Sequence, residues 1–201
     1  MRTSRQGKRR SRWAVWAAAV AFAVALGGLA LSDGPRSPAS TGASAFIWLR
    51  PEPQPRGWKV AVTRSGARLA YPPGWREIRT DPGTVSAAPA GARGVFVGYL
   101  NATPGIAEET LANWSRFRPE HNGGEGDRRV HLIASASHLN FRSGRGSCVI
   151  DDYTTSKASY REIACLVSGP RSSAVVVAAA PIALWDQQAA KLERAVSSFV
   201  P

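Results

Sequence analysis

The chain has 201 residues, with 26 basic and 14 acidic side chains, 44% apolar residues and two Cys. That length holds one ordinary domain plus an extra segment, and the composition excludes both a disulfide-dense miniprotein and a wholly disordered chain. The net charge of +12 invites a nucleic-acid reading, but half of the excess lies in the first twelve residues, as Arg2, Arg5, Lys8, Arg9, Arg10 and Arg12. No dense basic–aromatic stretch follows, so nucleic-acid binding is not expected.

Residues 1–12 read as a basic cytoplasmic tail. Residues 13–31, WAVWAAAVAFAVALGGLAL, carry no charge. As a helix rising about 1.5 Å per residue they span roughly 28 Å, close to a bilayer core. Six cations precede this run and no acid appears before Asp33. The positive-inside rule keeps the N-terminus in the cytoplasm and sends the rest out. Two alternatives stand for the segment. It is an uncleaved signal anchor in a single-pass cell-membrane protein. Otherwise it is a signal peptide, with a helix break at Gly27-Gly28 and a small-x-small site at Ala30-Leu31-Ser32, and the product is secreted. The partner implied by either is the lipid bilayer, through residues 13–31. Arg outnumbers Lys 22 to 4, a bias of high-GC bacterial genomes such as those of actinobacteria, and this also accounts for the remaining positive charge.

Residues 32–57 hold five Pro among Gly and Ser and read as an extended, largely unpacked linker. FIWLR at 46–50 is the exception, able to dock on the domain or lie at the membrane surface. Residues 58–201 are the expected extracytoplasmic domain, of ordinary single-domain size. Strands are expected at 59–63, 68–71, 75–78, 84–88 and 94–100, with Pro72-Pro73-Gly74 as a turn. A helix is expected next, with Thr103 as N-cap, Pro104 in its first turn and Ala107, Leu111, Trp114 and Phe117 on one face. It should end before the polar loop 121–128. Further strands follow at 130–141, 148–153, 160–167 and 174–179. Pro181 opens a last amphipathic helix, with Trp185, Ala189, Leu192, Val196 and Phe199 as its apolar stripe. The order points to an α+β fold, an antiparallel sheet covered by helices.

A hairpin centred on Ser156-Lys157 pairs residues whose numbers sum to 313. Cys148 then meets Cys165, Ile150 meets Ile163, Asp152 meets Arg161 and Tyr153 meets Tyr160. The cysteines should form a cross-strand disulfide that persists outside the cytoplasm. The same register sets Asp151 against Glu162, a destabilising pair. A nearby Arg offsets them, a β-bulge separates them, or they bind a cation.

The three His offer no metal motif, since His131 and His138 have opposite parity on one strand and no HExxH or CxxC is present. No G-x-S-x-G elbow occurs, and neither GGEG nor RSGRGS precedes a phosphate-binding helix. No cofactor or metal is expected, and no catalytic residue stands out. Trp75, Tyr153, Tyr160, Asp151 and Glu162 are the candidates for a binding surface, although a Trp after such a turn also packs inward.

The run Leu69-Ala70-Tyr71-Pro72-Pro73-Gly74-Trp75 resembles the opening of PsbP/Mog1-like domains. The strand after Gly94, the helix with Trp114 and the final helix with Ser197, Ser198 and Phe199 extend the resemblance over residues 65–200. It implies an α-β-α sandwich around a mostly antiparallel sheet. Relatives of this kind include photosystem lumenal subunits, a Ran-binding transport factor and actinobacterial envelope proteins, mainly binding or assembly modules. No functional residue carries over. The expected function is therefore a non-catalytic, membrane-anchored binding module that meets another envelope protein or an anionic envelope polymer. An extracytoplasmic hydrolase, in which His131 or His138 meets a carboxylate and a Ser, and a structural spacer are the alternatives.

Overall fold

The computed structural model describes residues 40–89 and 96–201. The expected cytoplasmic tail, the apolar segment 13–31 and the first residues of the linker lie outside the described residues. Among the described residues no helix is long and apolar enough to cross a membrane.

Among the described residues ten strands and two α-helices follow one another. The strands are β1 (Ser40–Thr41), β2 (Lys59–Val62), β3 (Arg68–Tyr71), β4 (Trp75–Ile78), β5 (Val85–Pro89) and β6 (Tyr99–Pro104), then β7 (Arg128–Phe141), β8 (Gly144–Thr154), β9 (Ser159–Ser168) and β10 (Ser173–Pro181). Helix α1 (Trp114–Gly124) separates β6 from β7, and α2 (Trp185–Ser197) follows β10. Eight strands form one sheet in the order β1-β7-β8-β9-β10-β6-β5-β4, while β2 and β3 form a separate hairpin. Every pairing is antiparallel except that of β1 with β7.

Each sheet face buries its own apolar set, because side chains alternate along a strand. One face carries Cys148, Ile163, Cys165, Val167, Val176 and Ala178 against Leu192 and Val196 of α2, Phe199 just past its end and Leu69 of the β2–β3 hairpin. The other carries Val149, Ala164, Leu166, Val175 and Val177 against Trp114 of α1. The result is a sheet with one helix on each side.

The expected linker is not all unpacked. Residues Ala43–Phe46 form a 3-10 turn, and Phe46 is 2% exposed within the α2-side core. Trp48 Nε1 donates to the Ala45 carbonyl at 3.0 Å, and the Glu52 amide donates to the Ser197 carbonyl at 3.0 Å. Of the two roles open to residues 46–50, docking on the domain is the one adopted. An aromatic side chain gains more by filling a core gap than the Pro-rich backbone around it loses by being fixed.

The expected helix start is displaced by ten residues, from an N-cap at Thr103 to one at Asn113. Thr103 and Pro104 instead pair with Val175 and Ala174 in the sheet. Residues 105–113 are turns tied by reciprocal bonds, with the Thr110 amide donating to Asn113 Oδ1 and the Asn113 amide to Thr110 Oγ1. The helix then runs through Pro119, His121 and Asn122 to Gly124, where a loop was expected. Tertiary bonds from Asn122 outweigh the poor helix propensity of that stretch. Pro181 likewise ends β10 rather than opening a helix, and a 3-10 turn at Ile182–Leu184 leads into α2.

Candidate functional site

Helix α1 packs mainly over β7 and β8, with Trp114 reaching Val175 and Val177 of β10, and no helix among the described residues covers β6 and β5 on that face. A cleft of about 420 Å³ occupies the gap. Its floor includes Val175 and Val177 of β10, and its sheet wall is Tyr99, Asn101 and Thr103 of β6 with Thr84 ahead of β5. Arg118, His121 and Asn122 of α1 form the facing wall, and Asp81, Glu109, Glu125 and Asp127 lie around it.

The sheet wall is wired together by its own polar groups. Asn101 Nδ2 donates to Tyr99 Oη at 2.9 Å and to Ser86 Oγ at 3.2 Å. Thr103 Oγ1 donates to Asn101 Oδ1 at 2.9 Å, and the Thr84 and Thr103 hydroxyls lie 3.1 Å apart. Alternation puts Tyr99, Asn101 and Thr103 on one face of β6. The sequence showed this as a period-two polar pattern, but it was hidden because Thr103 and Pro104 also fit a helix start.

Beneath the facing wall lies the carboxyl pair. Asp151 and Glu162 face each other in the unbroken β8–β9 ladder, in the register that also pairs Cys148 with Cys165, Asp152 with Arg161 and Tyr153 with Tyr160. Neither carboxyl side chain is exposed. Of the three ways to tolerate them, a nearby arginine is the one present. Arg118 Nε and Nη2 donate to Glu162 Oε1 and Oε2 at 2.7 Å and 3.0 Å. Burial opposes the Arg118 charge, but the Glu162 carboxylate beside it holds the guanidinium pKa above its ordinary value. Asn122 Nδ2 donates to Glu162 Oε1 at 3.2 Å and, at 3.4 Å, to Asp151 Oδ2. Burial, and then the Glu162 charge, push the Asp151 carboxyl up to about 8. Burial also raises Asp127 and Tyr153. Asn122 could not be singled out from sequence, because it was read as part of the loop 121–128, and Arg118, inside the expected helix, has its partner 44 residues away.

The five residues expected on a binding surface are placed differently. Trp75 is 7% exposed and belongs to the core. Its ring lies so close to Gly98 that a Cβ there would approach it to 2.8 Å. Asp151 and Glu162 are buried, and Tyr160 is 7% exposed. Only Tyr153 stays half-buried, stacked on Tyr160 at 5.8 Å between ring centres. Tyr153 and Glu162 do line the cleft. Strong side-chain pairing across β8–β9 draws these groups inward rather than displaying them.

On the opposite face Cys148 and Cys165 are joined as a disulfide with Cα atoms 4.1 Å apart. Arg161 grips both oxygens of Asp152 at 2.8 Å and 3.0 Å and lies over the Trp185 ring at 5.8 Å. The histidines do not converge. His131 stands opposite Asp152 in the β7–β8 ladder, where bulges interrupt the register. His138, at φ +59°, sits in a bulge beside a separate cavity of about 310 Å³ lined by Ser115, Ser135, Ser137 and Ser147. Among the described residues no cluster of three or more His, Cys, Asp or Glu is placed to hold a metal ion.

No protein-family model and no curated protein sequence matches the chain. Solved structures do. Cyanobacterial PsbP (CyanoP) from Synechocystis sp. PCC 6803 matches with a TM-score of 0.53 and 17% identity, over 71% of this chain and 91% of that one. The fold is PsbP-like. At 17% identity this likeness is one of fold alone. Weaker likenesses are to PA94 of Pseudomonas aeruginosa, at TM-score 0.47, 10% identity and 72% and 96% coverage, and to LpqN of Mycobacterium tuberculosis, involved in cell envelope biogenesis, at 0.41, 12%, 82% and 100%.

Proposed function

We propose that this chain is a non-catalytic binding or assembly module of the bacterial envelope. Residues 13–31 hold it at the cell membrane, its domain stands outside the cytoplasm, and its partner is another envelope protein or an envelope polymer that inserts a polar group into the cleft beside α1. The observation that carries this reading is the hydroxyl–amide wall of Tyr99, Ser86, Asn101, Thr103 and Thr84, fixed by its internal hydrogen bonds. Donors and acceptors already held in place lose little freedom when a ligand arrives. The joined cysteines support an oxidising compartment.

The ionisable groups around the cleft favour binding over turnover. Arg118 is engaged by Glu162, and His121 Nε2 lies 3.3 Å from Glu125. A hydrolase needs His131 or His138 beside a free carboxylate and a Ser. The Asp152 carboxylate opposite His131 is held by Arg161, and the cavity beside His138 has no carboxylate in its lining.

A photo-crosslinking residue in place of Asp81, exposed at the cleft, tests this reading in the full chain in bacterial cells. Defined adducts are expected from that site, lost on Asn101→Leu, and absent when the same group replaces the exposed Val62 on the β2–β3 hairpin. Equal labelling from both positions, or none from either, contradicts it and leaves a structural spacer.

A further inference from the structure

We infer that Asp151 and Glu162 hold one proton between them and that this proton latches α1 onto the sheet, setting the position of the cleft wall. Its meaning for ligand capture rests on the cleft being the binding site, but the latch does not.

The geometry is a ledger of charges and lone pairs. Glu162 has donors on both oxygens, two from Arg118 and one from Asn122. Asp151 Oδ2 has only the long bond from Asn122, and Asp151 Oδ1 is buried with no partner at all. With both carboxyls ionised, the cluster carries two negative charges against one positive, in a place shut off from water. A proton on Asp151 Oδ1, donated to Glu162, gives the orphaned atom a partner and brings the net charge to zero.

No neighbouring group replaces that proton. Tyr153 and Tyr160 flank the pair along the strands, and Leu132 and Ala179 stand opposite it in β7 and β10. Asp127 and Glu125 follow α1 and are acidic, and His121 is turned to Glu125. Asp152 points to the other face and is paired with Arg161. Arg118 is therefore the only cation among the described residues in contact with the pair, and both Arg118 and Asn122 sit on α1. The start of α1 has a separate tie, from Trp114 Nε1 to the Ala164 carbonyl at 2.9 Å. Its latter half, which contains Pro119, Gly123 and Gly124, depends on the carboxyl pair. Loss of the proton sets two carboxylates against one guanidinium and loosens that half first.

Amide hydrogen exchange of the full chain in detergent, across a pH series and corrected for intrinsic rates, reads the latch. Protection of residues 118–124 is expected to fall about tenfold per pH unit between the ordinary 3.8 and about 8, where opening releases the proton, and to level off above it, while β9 keeps its protection. Asp151→Asn supplies a permanent donor to Glu162 and should abolish the slope. Protection of α1 that tracks β9 throughout, or a slope that survives in Asp151→Asn, overturns the proposal. Should that variant not fold, the carboxyl carbon of Asp151 in the wild-type chain decides: a midpoint far above the ordinary 3.8 supports the latch, and one at the ordinary value refutes it. Loss of crosslinking at Asp81 with the slope intact would remove the binding reading and spare the latch.

Discussion

Arg118 and Glu162 lie 44 residues apart in the chain and meet through two parallel hydrogen bonds, so one helix carries the counter-charge for a strand in the middle of the sheet. Replacing Arg118 with Met keeps the bulk and removes that charge. Two buried carboxyls are then left without a cation, which costs about 3–5 kcal/mol. Urea denaturation at pH 7 should report this loss. Adding Glu162→Gln to Arg118→Met should return part of it, since the abandoned charge goes with it.

The disulfide closes a segment with a sequence separation of 17. Exchanging both cysteines for Ala should lower unfolding stability by about 2–4 kcal/mol. Thermal melts of the wild-type chain with and without a reductant should differ by a similar amount, and the double-Ala chain should no longer respond to the reductant.

Phe46 tests where the folded domain begins. Its ring is buried in the α2-side core, with the Trp48 ring centre 6.1 Å away. Phe46→Ala should cost about 3–5 kcal/mol. A chain starting at residue 40 should melt close to the full-length value, and one starting at Trp58 should melt far lower, as seen by circular dichroism.

The raised pKa of Asp151 fixes the sign of one pH effect. Between its ordinary 3.8 and about 8, the folded protein holds a proton that the unfolded chain has released. The stability this group contributes is thus present at low pH and is lost as pH rises through about 8. Its slope reaches at most about 1.4 kcal/mol per pH unit. Denaturant titrations from pH 5 to 9 should show this decline, and it should be missing in Asp151→Asn.

Much of the sheet was legible because its central strands carry pairs with only one good register. A thiol pair, an aliphatic pair, an ion pair and an aromatic pair all selected the same alignment of β8 with β9, and that alignment is the one observed. The apolar stripe of the last helix was largely legible too, with Leu192 and Val196 buried, although the helix ends at Ser197 and Phe199 is buried just beyond it. Helix α1 was not. Its residues after Phe117 have poor helical propensity, and what holds them is Asn122 reaching a carboxyl pair 29 and 40 residues further on. Long-range contacts of that kind leave no local pattern. The cleft wall was lost with it, because Thr103-Pro104 suits a helix start as well as a strand end.

The fastening between β8 and β9 also bears on how the molecule matures. The chain contains only two cysteines, and both sit in one hairpin. Within a single molecule there is no wrong partner to choose. An oxidant is sufficient to finish this protein, and a thiol-shuffling isomerase has nothing to correct.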